Sequence, residues 1–155
     1  MVFVEGLIRK LEQSQKGHVN MLRSKVREEI FKIIFRYPFV EKGEMDEQLS
    51  FSLEELDGKS QENIDYIKNK VTAIINNIKD IDAKIEECCE GWSFQRIGKA
   101  EISIMRIATY ELMLEEDVPN SVAINEAVEL SKIYCDDDAK GFVNAILGKI
   151  EKSIR

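Results

Sequence analysis

Apolar residues recur at every third or fourth position along most of this chain, which is the spacing of amphipathic α-helices. The repeat is clearest in two segments, 100–113 and 121–134, which are separated by a short acidic turn closed by Pro119. A third helical segment, GFVNAILGKIEKSI, follows three consecutive aspartates at 136–138. The pattern predicts a unit of three packed helices, and the upstream helices are expected to cover it.

The segment 100–113 is apolar around much of its circumference, which is typical of a helix at the centre of a bundle. Arg106 within it is expected to be partly buried and therefore to need an acidic partner. Glu111, Glu126 and Glu129 are the candidates. Trp92, just upstream, is interpreted as a buried structural residue at a helix junction. The helix 121–134 is expected to bury Val122, Ile124, Ala127, Val128 and Ile133.

An earlier helix is predicted from Arg23 onwards. Ser24 is a plausible N-cap, and Pro38 makes continuation past Tyr37 unfavourable. Basic side chains surround an apolar stripe that is expected to face the core. The stripe consists of Val26, Ile30, Ile33, Ile34 and Tyr37.

Three more helices are predicted between this one and Trp92. The first covers 44–56 and ends at a break at Asp57-Gly58. The second is capped by Ser60 and extends to about Lys79, and the third covers 81–89. Residues 1–20 are assigned to an N-terminal extension without a defined role, with a short amphipathic segment up to Leu11 and a linker after it.

The composition agrees with an all-α protein of one domain, 21–155, preceded by that extension. The 155 residues include 44% hydrophobic and 33% charged residues and only two prolines, which is typical of a helical globular domain. No apolar run approaches the ~18 residues that a membrane span requires. Cys88, Cys89 and Cys135 form no CxxC pair, a pattern that indicates a reduced compartment and a cytoplasmic protein.

Charge is distributed unevenly. The net charge is −7, yet residues 1–40 carry eight Lys and Arg against four Glu. Arg23, Lys25 and Arg27 are concentrated in this basic part, where they favour local contact with phosphates. The alternative is a solvated basic face without a partner. The only histidine, His18, has no cysteine or second histidine nearby, so neither a metal site nor a catalytic dyad is expected.

The aspartates at 136–138 allow two interpretations. Three clustered carboxylates suggest a divalent metal, but capping of the next helix is favoured because free N–H groups at a helix start attract negative charge. Phe142 falls close to those N–H groups. An aromatic ring beside an anion-binding helix start is an arrangement that proteins use to bind single-stranded RNA, whose bases stack on the ring.

Several segments resemble the bacterial transcription antitermination factor NusB family. They are IMRIATYEL, DVPNSVAINEAVELSK and KGFVNAIL, together with the basic opening Arg23-x-Lys25-x-Arg27-Glu28. The resemblance covers about residues 21–152. It implies an all-α fold of about seven helices in two three-helix subbundles, without catalysis or a cofactor. It also implies binding of the boxA element in ribosomal RNA leaders together with the ribosomal protein NusE, in an assembly that lets RNA polymerase read through terminators.

Carried over by position, the resemblance implies that Arg23, Lys25 and Arg27 face RNA phosphates. Asp138 and Phe142 would form a second part of the RNA surface, and Glu101 would contact NusE. Two positions depart from the family pattern. Ser24 interrupts the basic run, and Gly141 stands where the family often has Lys, for which the adjacent Lys140 would substitute.

Two alternatives remain open at this point. One is a protein–protein adaptor or homodimer of the same fold that does not recognise RNA sequence, as the acidic body and Ser24 suggest. The other is an RNA methyltransferase, because a NusB-like domain also occurs fused to such enzymes. The chain lacks a glycine-rich strand–loop–helix for a methyl donor, which argues strongly against the enzyme.

Overall fold

The computed structural model describes residues 23–56 and 59–154, which form seven α-helices and no strand. The all-α prediction is therefore confirmed. The first helix, α1, covers 23–34. The others are α2 Met45–Glu55, α3 Gln61–Asn76, α4 Ile78–Cys88, α5 Lys99–Leu114, α6 Asn120–Tyr134 and α7 Ala139–Ser153. The extension 1–20 and the break at Asp57-Gly58 lie outside the described residues.

Helix α5 is the centre of the fold. Ile104 and Met105 are completely buried, and burial extends around the helix to the polar Ser103 and Thr109. Helices α4, α6 and α7 all pack on it, and α6 and α7 pack on each other. The prediction of a central helix in a three-helix unit, made from α5, α6 and α7, is therefore confirmed.

Helices α1, α2 and α3 precede this unit in the chain. Ile30 and Ile34 of α1 are fully buried, and α2 packs on α3. The stripe predicted for α1 is buried except at Tyr37, which lies beyond the helix in a 3₁₀ turn, Tyr37–Phe39, and is half-buried. Proline at the second position of that turn agrees with the expected end of α1.

The start of α1 differs from the prediction. Ser24 already lies inside the helix, so it is not the N-cap. Ser60, in contrast, caps α3 as predicted, because its side-chain oxygen accepts a hydrogen bond from the Asn63 N–H at 3.3 Å.

The boundary between α3 and α4 also differs from the prediction, which had α3 continuing to Lys79. Helix α3 ends at Asn76 and α4 begins at Ile78. The intervening Asn77 donates both its backbone N–H and its side-chain amide to the Ala73 carbonyl oxygen, at 3.1 and 2.8 Å. The apolar repeat continues through Ile78 and Ile81, which is why periodicity did not reveal the break.

Arg106 is buried as predicted, but none of the three candidates is its partner. It forms a two-pronged ion pair with Asp82 of α4, with N···O distances of 2.8 and 2.9 Å, and its guanidinium lies 5.5 Å from the Tyr37 ring centroid. Glu126 instead accepts a hydrogen bond from the Ser24 hydroxyl at 3.3 Å, and Glu129 pairs with the neighbouring Lys132.

Three apolar residues that were expected in the core lie at the surface. Trp92 is 64% exposed, Ile133 is 65% exposed, and Val122 is 39% exposed. Helix α6 buries its small residues instead, among them Ala123 and Ala127, because these allow α6 to lie close to its neighbours. Across 23–56 and 59–154, no helix has both the length and the apolar character needed to cross a membrane.

Candidate nucleic-acid interface

The basic start of α1 provides two exposed cations. Arg23 and Lys25 are exposed, and neither forms an ion pair with another described residue. Their neighbour Ser24 is held to α6 by its hydrogen bond to Glu126. Two positive side chains therefore project into solvent from a helix that is fixed to the body of the protein.

Arg27 has a different environment from these two residues. It is only 8% exposed, and its guanidinium pairs with the buried carboxylate of Glu111, with Nε 3.2 Å from Oε1. Burial alone lowers the pKa of Arg27, but the hydrogen bond and negative charge of Glu111 outweigh it, so the pKa is raised above its ordinary value. Its charge is directed into the protein rather than towards solvent.

The Arg27–Glu111 pair belongs to a larger network of ionised groups. Lys70 of α3 lies 3.5 Å from the Glu111 carboxylate and 2.9 Å from that of Glu115. Tyr66 donates its phenolic hydrogen to Glu115 at 2.7 Å, and burial followed by this hydrogen bond raises the pKa of Tyr66. The network joins α1, α3 and α5 and so fixes the helix that carries Arg23 and Lys25.

The end of α6 also contacts α1. The Tyr134 hydroxyl donates a hydrogen bond to Glu28, and the Tyr134 ring lies 4.6 Å from that of Phe31 between centroids. Burial, followed by the bond to Glu28, raises the pKa of Tyr134 to about 12. Because α7 begins only five residues later, at Ala139, this contact brings the α6–α7 loop to the side of α1.

The start of α7 differs in detail from the capping interpretation. Asp138 occupies the N-cap position, but its side chain accepts no capping hydrogen bond, and the Ala139 N–H instead donates to the Asp136 carbonyl at 2.9 Å. No group of three residues suited to holding a metal ion occurs within 23–56 and 59–154. The Asp138 carboxylate and the Lys140 ammonium are exposed, and Phe142 is the fourth residue of α7.

Phe142 is packed at its base and meets another aromatic side chain at the surface. Its ring lies 5.4 Å from that of Trp92 in an edge-to-face arrangement with an interplanar angle of 65°. Phe142 is half-buried against the core, whereas Trp92 is mostly in solvent. The aromatic surface at this end of α7 is therefore larger than Phe142 alone.

Glu101 lies at the start of α5, on the side of the molecule that also contains the end of α6. Its carboxylate bends back over Gly98, so closely that a Cβ at Gly98 would lie 2.1 Å from Oε2. It also lies beside Cys135. Burial, followed by the negative charges of Glu101 and Asp136, raises the pKa of Cys135 to about 11.

An open groove lies next to Glu101. It is largely apolar and is bordered by two basic side chains, Lys32 of α1 and Arg36 just after that helix. The lining residues are Phe31, Lys32, Phe35, Arg36, Ala100 and Tyr134. The groove lies between α1 with the turn that follows it, α5 and α6, and it is a candidate protein-binding surface.

Sequence reasoning did not identify the contacts that assemble this surface. Glu111 was considered only as a partner for Arg106, and Tyr134 was an ordinary helix position. Their partners Arg27 and Glu28 lie 84 and 106 residues away along the chain. Trp92 gave a usable signal, since Gly91 immediately before it predicts a turn, and turns are usually at the surface.

These features define an all-α protein with exposed basic residues at the start of one helix and an aromatic residue at the start of another. The model of the NusB family matches residues 24–152, and the chain belongs to that family. A transcription antitermination protein NusB from Agathobacter rectalis is 43% identical over 129 residues, which are 83% of this chain and 98% of that protein. The NusB protein of Clostridium novyi is 43% identical over 135 residues, which are 86% of this chain and all of that protein.

Solved structures agree with this assignment. NusB of T. maritima has a TM-score of 0.77 at 32% identity and aligns with 84% of this chain and 90% of its own. A crystal structure of the antitermination factors NusB and NusE with double-stranded RNA has a TM-score of 0.75 at 27% identity, over 84% of this chain and 96% of that one. The predicted NusB fold is confirmed. The expectation of a protein that is not an enzyme is confirmed by membership of a family of transcription antitermination proteins.

Proposed function

We propose that this protein binds the boxA element of ribosomal RNA leaders together with the ribosomal protein NusE, and that the assembly lets RNA polymerase read through terminators. The observation that carries the proposal is the contact between Tyr134 and Glu28. It brings the α6–α7 loop, which leads to Phe142, beside the helix that displays Arg23 and Lys25. Cations for phosphates and an aromatic ring for bases are the two components that single-stranded RNA binding needs.

Arg23 and Lys25 are assigned to the phosphates because they are exposed and without ion-pair partners among the described residues. Arg27, which sequence reasoning grouped with them, is assigned a supporting role. Its guanidinium is committed to Glu111, and moving it to a phosphate would leave a buried carboxylate with less compensation. Arg27 therefore positions α1 for the other two residues.

Asp138, Lys140 and Phe142 are assigned to the second part of the RNA surface. Phe142 presents a ring for stacking, and Lys140 adds a positive charge two residues before it. The Asp138 carboxylate makes no capping hydrogen bond, so it remains available to accept hydrogen bonds from the amino groups of an unpaired base.

Glu101 and the groove beside it are assigned to NusE. The groove offers the rings of Phe31 and Phe35 as an apolar floor, with Lys32 and Arg36 at its border and Glu101 next to Ala100. An apolar centre with a charged rim is the usual composition of a protein interface. The solved NusB–NusE complex supports a partner of this kind.

A second function, a protein–protein adaptor or homodimer that does not recognise RNA sequence, is favoured by one observation. Beyond residue 40 the chain carries 25 acidic against 14 basic side chains, which weakens attraction of RNA to most of the surface. In that case the groove would bind protein and the cations of α1 would only be solvated.

The double substitution Arg23→Ala/Lys25→Ala distinguishes between the two proposed functions. The matched control is the double substitution of Lys68 and Lys79, two exposed lysines on α3 and α4 that make the same change in net charge. Affinity for labelled single-stranded boxA RNA is measured by fluorescence anisotropy over a series of salt concentrations, and NusE binding is measured in parallel.

We expect the α1 variant to bind RNA more weakly and to keep its affinity for NusE. Loss of two phosphate contacts should reduce the slope of log K against log salt by about 1.4. The control should retain the slope of the original protein. Equal RNA affinity and equal slope in both variants would instead favour the adaptor.

A further inference from the structure

Trp92 is in an unusual environment for the largest apolar side chain of the protein. It is the only tryptophan, and it is 64% exposed in the loop between α4 and the 3₁₀ turn Phe94–Arg96. Its ring contacts Phe142, with centroids 5.4 Å apart and planes inclined at 65°. Large aromatic groups that are left in water and in contact with each other mark binding surfaces more often than single small apolar groups do.

The loop that carries Trp92 has a defined turn and contacts α7. The Trp92 N–H donates to the Cys89 carbonyl at 3.2 Å, and Gly91 has a φ of +77°, which side chains other than that of glycine rarely adopt. Just before Gly91, the Glu90 carboxylate lies 3.5 Å from the Lys149 ammonium of α7. Lys149 and Phe142 are seven residues apart and therefore lie on one face of α7, so the loop follows that face.

We infer that Trp92, supported edge-to-face by Phe142, forms an aromatic platform on which an unpaired base of single-stranded RNA stacks. The inference rests on the proposed RNA-binding function and adds a residue on a different element to it. In an edge-to-face pair the rings do not cover each other, and the exposure of Trp92 leaves much of the indole open to a base. Every nucleobase has a π-face, so such a platform binds bases without strict sequence preference.

The surroundings of the rings favour RNA over an apolar protein surface. Ser93 and Gln95, which follow Trp92, are exposed and hydrogen-bonded to each other at 3.0 Å. On α7, the exposed Lys149 lies on the same face as Phe142, and Lys140 is exposed in the same first turn. The pair is therefore accompanied by polar groups and cations that suit a ribose–phosphate chain, and not by further apolar side chains.

Because Trp92 is the only tryptophan, its fluorescence reports directly on stacking. The probe is a single-stranded boxA RNA, and the same sequence annealed to its complement serves as the duplex control. We expect the single strand to quench the emission of Trp92 with a saturation curve that matches binding measured by anisotropy of labelled RNA. The duplex should quench it little, because its bases are already stacked and paired.

Substitutions supply an independent measurement. Trp92→Ala should weaken single-stranded RNA binding roughly 5- to 150-fold, which corresponds to the loss of one stacked base. Trp92→Phe, which retains an aromatic ring, should recover most of that loss. Phe51→Ala is the matched control, because Phe51 is 57% exposed on α2 and should not affect RNA binding. Circular dichroism establishes that each variant is folded.

The outcomes distinguish this inference from the proposed function. Suppose that anisotropy reports RNA binding, that the emission of Trp92 does not change, and that Trp92→Ala and Phe51→Ala bind RNA with equal affinity. This result would overturn the platform and leave RNA binding in place. Absence of RNA binding by anisotropy would overturn both. Loss of NusE affinity alone in Trp92→Ala would assign the ring to a protein interface and overturn the platform. Should Trp92→Ala fail to fold, the emission titration and Trp92→Phe decide.

Discussion

Replacing Glu111 with Gln tests whether a buried ion network fixes the helix that carries the exposed cations. The Glu111 side chain is 1% exposed, and the two cations that it faces, Arg27 and Lys70, are 10% and 2% exposed. The substitution keeps the shape and removes the negative charge, so two buried cations lose their shared partner.

Breaking a buried ion pair from one side costs about 3–5 kcal/mol. Lys70 retains Glu115 at 2.9 Å, so we place the effect at the lower end, about 3 kcal/mol. With a urea m-value of about 2 kcal/mol/M for a domain of this size, the midpoint of unfolding should fall by about 1.5 M.

Urea unfolding followed by circular dichroism at 222 nm measures this change. Glu129→Gln is the control, because Glu129 and its partner Lys132 are 63% and 48% exposed and their pair should contribute less than about 1 kcal/mol. The double variant Arg27→Met/Glu111→Met should regain much of the lost stability, since apolar residues often replace buried ion pairs at little cost. An unfolding free energy for Glu111→Gln within about 0.5 kcal/mol of the original would refute the reasoning.

Three further predictions concern the α6 end and Glu101. Tyr134→Phe removes the hydrogen bond to Glu28. In the original protein the pKa of Tyr134 is raised to about 12, so its contribution to stability is complete below about pH 10 and is lost as the pH rises towards 12. The urea midpoint of the variant should therefore decline less steeply with alkaline pH. Cys135 should react slowly with iodoacetamide at pH 8, because its pKa is raised to about 11. Glu101→Gln should increase the reaction rate, which site-resolved mass spectrometry measures. An unchanged rate would contradict the proximity of the two groups. Gly98→Ala should displace the Glu101 carboxylate, because the new Cβ would lie 2.1 Å from it. We expect weaker NusE binding by calorimetry and an unchanged circular dichroism spectrum. Full NusE affinity would argue against a role for the bent conformation of Glu101.

Periodicity predicted the helices well, because burial of one face repeats every three to four residues wherever a helix packs on the core. It placed α5 at the centre from its nearly continuous apolar surface, and the structure agrees. It failed at Asn77, where α3 ends without any interruption of the apolar repeat.

The candidate site was less accessible to sequence reasoning. Arg27 looks like Arg23 and Lys25 along the chain, and only its pairing with Glu111 separates a structural arginine from exposed cations. Arg106 had three acidic candidates, one on its own helix and two on α6, yet it pairs with Asp82 on α4. Partners so distant in sequence are determined by how helices pack, which local pattern does not encode.

The central claim, recognition of single-stranded boxA RNA together with NusE, is tested most directly by competition. Labelled boxA RNA bound to the protein is displaced by unlabelled boxA RNA or by a scrambled RNA of the same composition, with and without NusE, at one fixed salt concentration. We predict that the boxA RNA competes at a lower concentration than the scrambled RNA and that NusE widens the difference. Equal competition by the two RNAs, with or without NusE, would contradict the claim.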